Sequence, residues 1–379
     1  MAIKKRIFTP GPTEVPPRVL QSISRPLIHH RTDAFREVHA EIEEGLRYVF
    51  RTGNPVLVLT SSGTGAMEAA VANVTMPGEK VLTTPCGKFS ERWDEIARAF
   101  GLETVRVEAE WGRPVDPSEV ERALASHPDI TVVLTTHCET STGVLLDVGA
   151  IAKAAHDHGA LIVVDAITGL LAEDVDTDGW GLDVVVGGSQ KGFMLPPGLA
   201  FISIGPEAAA RVKKPGHPVY YFDLAKALVS LEKNDTPYTP SVSLFMGLHT
   251  ALEMVRDEGL EATLRRHRRN AAAVRAAVAA MGLEIFSHAP CNATTAVLPP
   301  EGTAGEIVKR MDGDYGIRIA GGQARLKGKI FRLGHLGYYD ESDMFTMISA
   351  LESVLKEMGI IEACGTGIGA LLESFASDE

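Results

Sequence analysis

Leu182-Asp-Val-Val-Val-Gly-Gly-Ser-Gln-Lys-Gly-Phe-Met-Leu-Pro-Pro-Gly-Leu-Ala-Phe-Ile-Ser-Ile204 carries two apolar runs, 184–186 and 199–204, on either side of a turn that holds a single lysine, Lys191. Runs this short, bounded by glycine and proline, read as buried strands. An ammonium among small and apolar neighbours is costly to keep charged, so its pKa falls and it can form an imine with a carbonyl. Upstream, Ala160-Leu-Ile-Val-Val-Asp165 is a further apolar strand that ends in an acid, 26 residues before the lysine (191 − 165). Taken singly, each of the two charged residues fits a solvated loop equally well. Together they answer the needs of pyridoxal 5'-phosphate: a Schiff-base lysine and a carboxylate for the pyridinium nitrogen.

Outward from this pair the chain keeps one rhythm. Residues 55–60 form a short strand that runs into Ser61-Ser-Gly-Thr-Gly65, and a helix follows over 66–74. A strand, a glycine turn and a helix make a phosphate cradle, because free N–H groups and the helix dipole face the turn. The same turn would serve structure alone equally well. A dinucleotide fingerprint is weakened by Glu68 at its last glycine position and by the lack of an acid closing the strand 80–84. Further strands are expected at 105–108 and 130–136, and helices at 34–50, 90–100, 117–125 and 148–158. This alternation predicts an α/β fold with a mostly parallel sheet between helices and ligands at the carboxyl ends of the strands. The glycine turn, the segment 135–140, Asp165 and the approach to Lys191 all fall at such ends.

The rhythm changes after Pro206. Residues 215–240 are polar and rich in turns, and one long helical stretch is expected over 241–281. Strands near 294–298, 317–320 and 329–333 and a helix over 341–358 then suggest a smaller α+β unit. The division is an N-terminal arm over 1–18, a large unit over 19–258 and a small unit over 259–379. The arm, proline-rich over 7–18, reads as an extended segment lying on another surface, which suggests a partner subunit. The glycine-rich stretch 364–369 reads as a flexible tail.

Composition excludes some classes. The formal charge is −12, against nucleic acid or an anionic membrane as the main partner. No apolar segment follows the basic residues 4–6, and no run of 18 apolar residues occurs, so a cytoplasmic protein is expected. Cys86, Cys138, Cys291 and Cys364 are widely spread with no C-x-x-C pair, which fits reduced thiols and no metal site.

Several motifs, in order along the chain, resemble those of the class V, fold-type I pyridoxal-phosphate aminotransferases, and within them the alanine–glyoxylate and serine–pyruvate/glyoxylate group. They are Pro10-Gly-Pro-Thr13, Ser62-Gly-Thr-Gly65, Thr136-His-Cys-Glu-Thr-Ser-Thr-Gly-Val144, Val164-Asp165, Gly188-Ser-Gln-Lys191 and Phe331-Arg-Leu-Gly334. The resemblance implies a large domain with a seven-stranded sheet, a smaller C-terminal domain and a homodimer. It also implies Lys191 as the Schiff-base lysine, Asp165 at the pyridinium nitrogen and Phe89 stacked on the ring. Ser62, Gly63, Thr64 and Gln190 would cradle the phosphate, joined by Thr239 from the neighbouring subunit. Thr140 would hydrogen-bond the cofactor and Arg332 would clamp the substrate carboxylate. Three positions depart from some relatives: Thr64 replaces histidine, Thr236 replaces tyrosine, and Phe89 replaces tryptophan.

The implied activity is transamination between a small amino acid, alanine or serine, and a 2-oxo acid, glyoxylate or pyruvate. Two other readings share the fold. A cysteine-desulfurase-like lyase would need a mobile late cysteine, for which only Cys364 is available. A non-catalytic, hydrogenase-associated subunit would keep the fold for assembly alone.

Overall fold

The computed structural model describes residues 3–377. Its main sheet has seven strands in the order Val56–Leu59, Ala200–Ile204, Val184–Gly188, Leu161–Asp165, Ile130–Thr136, Lys80–Thr83, Glu103–Arg106. Only Ala200–Ile204 runs against its neighbours; the remaining pairs are parallel. Alternation along the strands fills two cores. Ile162, Val164 and Val185 enter the cluster on one face, and Val163, Val184 and Val186 the cluster on the other. Each fully buried valine or isoleucine contributes on the order of 1.5–3 kcal/mol, so a slip of one residue would put the wrong set in each core.

A second, antiparallel sheet is ordered Glu284–Ile285, Thr294–Leu298, Phe331–Gly334, Ala320–Gly321. Phe331 and Leu333 point into a core shared with the helices Leu260–Ala280, Ala304–Tyr315 and Glu341–Glu357. Ile330 belongs to a separate small cluster, as the alternation of that strand requires.

Four expectations are corrected. The stretch over 241–281 is two helices, Val242–Glu258 and Leu260–Ala280, broken at Gly259, whose φ of +85° no helix accepts. The segment expected as a flexible tail is a helix, Thr366–Ser377, with Leu371 and Phe375 buried. The buried carboxylate of Glu352 accepts from the N–H groups of Gly365 (3.0 Å) and Gly367 (2.6 Å), meeting the unpaired donors of that helix start. The turn-rich region 215–240 contains a further helix, Leu224–Leu231.

The fourth correction concerns the arm. Residues 7–18 lie on their own chain: Arg6–Ile7 pairs in parallel with Ile317–Arg318, and Phe8 is fully buried in the smaller core. Pro17 already begins the helix Pro17–Ile23. The expected strand over 317–320 is accordingly split, Ile317–Arg318 serving the arm and Ala320–Gly321 serving Phe331–Gly334.

Candidate active site

Six of the seven large-sheet strands point the same way, so their carboxyl ends share one edge. There Val56–Leu59 leads to Ser62 and the helix Gly63–Val74, Leu161–Asp165 ends on its acid, and Val184–Gly188 leads through Gln190 to Lys191. A cavity of about 320 Å³ at this edge is lined by Ser62, Gly63, Thr64, Phe89, Thr140, Asp165, Gln190 and Lys191, a size typical of small-molecule sites. Arg332 and Thr239 do not line it. Arg332 stands behind Thr140, and Thr239 is exposed, beside a different cavity with Thr60, Phe222 and Tyr238.

Lys191 is 8% exposed, and burial, reinforced by the Arg332 charge, lowers its pKa to about 8. Its Nζ donates to the carbonyl of Pro10. That approach needs Gly11, at φ +122°: a Cβ there would stand 2.5 Å from Lys191 Cδ. The arm therefore forms one wall of the site. Asp165 is raised to about 6, chiefly by burial, against the opposing hydrogen bond from the N–H of Ile167 to Oδ1 (2.9 Å). No ion pair joins Lys191 to Asp165 among the described residues, so each keeps a charge-capable group turned to the cavity.

The opposite wall is organised by Glu139, which is fully buried. Its carboxylate accepts from the N–H of Phe89 (3.1 Å), the N–H and hydroxyl of Ser90 (2.7 and 2.8 Å), and the N–H and hydroxyl of Ser141 (3.0 and 2.7 Å). Gly87 is required beside it, since a Cβ would meet the carboxylate carbon at 2.3 Å. This network holds the loop that presents Phe89. Next along the chain, the Thr140 hydroxyl pairs with that of Thr168 (2.7 Å), and its carbonyl accepts from Arg332 Nη1 (2.8 Å). Arg332 also donates Nε and Nη2 to the carbonyl of Gly321, and burial lowers its pKa to about 10.

The residues fit pyridoxal phosphate on three counts. Ser62 caps its helix without a side-chain bond, and since the N–H of Gly65 already donates to the Ser62 carbonyl (2.9 Å), it is those of Gly63 and Thr64 that are left for an anion. Gln190 Oε1 is buried without a partner. Gly63 lets the helix start close on the turn after Asp165, where a Cβ would lie 2.4 Å from Ile167 Cδ1. No group of three or more residues suited to a metal ion occurs among the described residues.

The family model for class V aminotransferases matches residues 7–334. The chain belongs to that family. Its members depend on pyridoxal 5'-phosphate, and the chain is an aminotransferase of fold type I. An aspartate aminotransferase of subgroup IV from Thermus thermophilus superposes with a TM-score of 0.88 at 38% identity, covering 93% of this chain and 99% of that one. A protein named soluble hydrogenase, small subunit, from Synechococcus sp. is 44% identical over 98% of both chains. The serine–glyoxylate aminotransferase of Hyphomicrobium methylovorum is 34% identical over 100% of this chain and 96% of its own.

Sequence reasoning does not single out Arg92, Ile167 or Thr168, which also line the cavity. Arg92 lies three residues beyond Phe89 at a helix start, a spacing that puts both on one face. No helix is long and apolar enough to cross a membrane among the described residues.

Proposed function

We propose that this aminotransferase moves the amino group of a small amino acid, serine or alanine, to glyoxylate or pyruvate, in two half-reactions at one site. The observation that carries this reading is Lys191, buried opposite Asp165 with its pKa lowered to about 8. An amine with that pKa is available near neutral pH both as a nucleophile and as a base. When bound, pyridoxal phosphate supplies an electron sink for charge developing at the amino-acid Cα. Lys191 Nζ would take and return the Cα proton, and Asp165 would keep a proton on the ring nitrogen. Phe89 would stack on the ring and exclude water. Ser62, Gly63, Thr64 and Gln190 would bind the phosphate, Thr140 would orient the ring, and Thr239 would reach a partner's site.

Arg332 binds the carboxylate common to every donor and acceptor. Three of its five N–H groups are spent on the carbonyls of Thr140 and Gly321, which orient the fork and leave two for substrate. Glyoxylate as acceptor and serine as donor are favoured by the serine–glyoxylate relative.

We assign residues 19–258 to the cofactor-binding unit and 259–379 to the small unit. The working form is a cytoplasmic homodimer, with the exposed Tyr220 and Tyr221, which pack on Tyr238 beside Thr239, on the covered face.

The test is a panel of L-serine, L-alanine and L-aspartate against glyoxylate and pyruvate, with the visible absorbance of the bound cofactor followed. Serine or alanine should abolish that absorbance and glyoxylate restore it. Arg332→Lys should raise KM for donor and acceptor alike, by roughly 30-fold or more. Turnover with aspartate alone would overturn the donor assignment, and no turnover with any pair would favour a non-catalytic subunit. Sedimentation of an active monomer would overturn the dimer.

A further inference from the structure

We propose that Arg92 is the cation that completes the cofactor's phosphate site, an inference that rests on the reading of the cavity as a pyridoxal-phosphate site. The start of the helix Gly63–Val74 offers N–H groups and a favourable dipole, but Ser62, Gly63, Thr64 and Gln190 are all neutral. A phosphate dianion taken out of water needs charge as well as donors. Among the described residues two cations line the cavity, Lys191 and Arg92. Lys191 is held at the carbonyl of Pro10. Arg92 Nη1 instead donates to the hydroxyl of Thr64 (3.1 Å), the second residue of the helix that faces the anion.

Three further observations favour a ligand over a structural duty. The acids on Arg92's own helix are engaged elsewhere: Glu95 pairs with Lys88 (2.8 Å) and Glu91 with Arg325 (2.9 Å), so no ion pair includes Arg92 among the described residues. Arg92 also occupies the second position of the helix Glu91–Ala99, where its charge opposes the dipole. Finally, the guanidinium carbon lies 5.0 Å from the centroid of the Phe89 ring, which restrains the fork beside the surface on which the cofactor ring would stack. The bond to Thr64 uses one N–H, leaving the planar fork four with which to meet phosphate oxygens.

The experiment compares pyridoxal phosphate with pyridoxal, which differs from it by the phosphate alone. Apoenzyme is titrated with each, following quenching of tryptophan fluorescence and the visible absorbance, for wild type, Arg92→Gln and Arg92→Lys. Arg92→Gln should raise the Kd for pyridoxal phosphate roughly 10- to 100-fold and leave pyridoxal within about twofold, while Arg92→Lys recovers part of the loss because it restores charge without the fork. Inorganic phosphate should compete with pyridoxal phosphate less well in Arg92→Gln than in wild type. Equal weakening of both ligands would overturn the proposal and leave Arg92 as a support for Phe89. An unchanged Kd for pyridoxal phosphate with a raised KM for one substrate would also overturn it, and would move Arg92 to the substrate side. Wild-type apoenzyme that binds neither ligand would overturn the functional reading itself.

Discussion

Two buried carboxylates, Glu139 and Asp165, are treated in opposite ways. Glu139 accepts five hydrogen bonds from Phe89, Ser90 and Ser141, whereas Asp165 accepts one, from Ile167. The first corner is saturated from within the chain. The second holds Asp165, Lys191 and the unpartnered Gln190 oxygen, a set of polar groups that is costly to bury until something binds. Internal hydrogen bonding thus separates the part of the cavity that is scaffold from the part that is kept for a ligand.

The largest test of that contrast is made in the open corner. Lys191→Ala and Asp165→Asn should each cut turnover by roughly 10²- to 10⁴-fold, the range of a positioned acid or base, without lowering the thermal midpoint of the apo-protein. Steady-state assay and a melting curve together check it, and full activity in either variant would remove that residue from the chemistry. In the saturated corner the loss should appear as stability. Glu139→Gln turns one acceptor oxygen into a donor facing donors, and should cost roughly 3–5 kcal/mol in urea unfolding. An unchanged midpoint would mean that the network is replaceable.

A smaller effect depends on pH. The Lys191 pKa of about 8 lies below the ordinary lysine value of 10.5, so below pH 8 both folded and unfolded chains carry the proton and the folded one bears the whole cost of burying it. Between about 8 and 10.5 the folded apo-protein has released the proton while the unfolded chain retains it, so stability rises with pH across that window. Lys191→Met should therefore be more stable than wild-type apo-protein by about 3 kcal/mol at pH 7, with the gap closing toward pH 10.5. A gap independent of pH would show that packing, not charge, sets the difference.

What the sequence discloses follows the same division. Asp165 and Lys191 are legible because each interrupts or closes a run of buried apolar residues, where a charge has no cheap explanation. The β-branched runs Val184–Val186 and Ile162–Val164 announce a sheet covered on both faces. Glu139 is not legible in the same way: its partners at 89 and 90 are brought to it only by the fold, Ser141 alone being local, and three of the five contacts come from backbone groups that no side-chain pattern encodes. Arg92 is missed because a lone arginine on an amphipathic helix ordinarily faces solvent. The terminal helix is missed because glycines at 365, 367 and 369 mask the apolar spacing of Ile368, Leu371 and Phe375, and its stability comes from docking on Leu260–Ala280. Gly259 illustrates the reverse error, since periodicity continues across a residue whose backbone does not.

The pairing of Arg6–Ile7 with Ile317–Arg318 bears on the order of events during synthesis. Ile317 follows Arg6 by 311 residues (317 − 6), so at roughly 5–20 residues per second the first strand waits about 15–60 s on the ribosome for its neighbour. Until then the strand pairing that anchors the arm ahead of Pro10 and Gly11 is absent. The large sheet can be complete while the reaction chamber is still open on one side. A change that displaced Arg6–Ile7 would leave the large sheet untouched and strike this closure, which makes the segment over 6–12 ill suited to carry a tag.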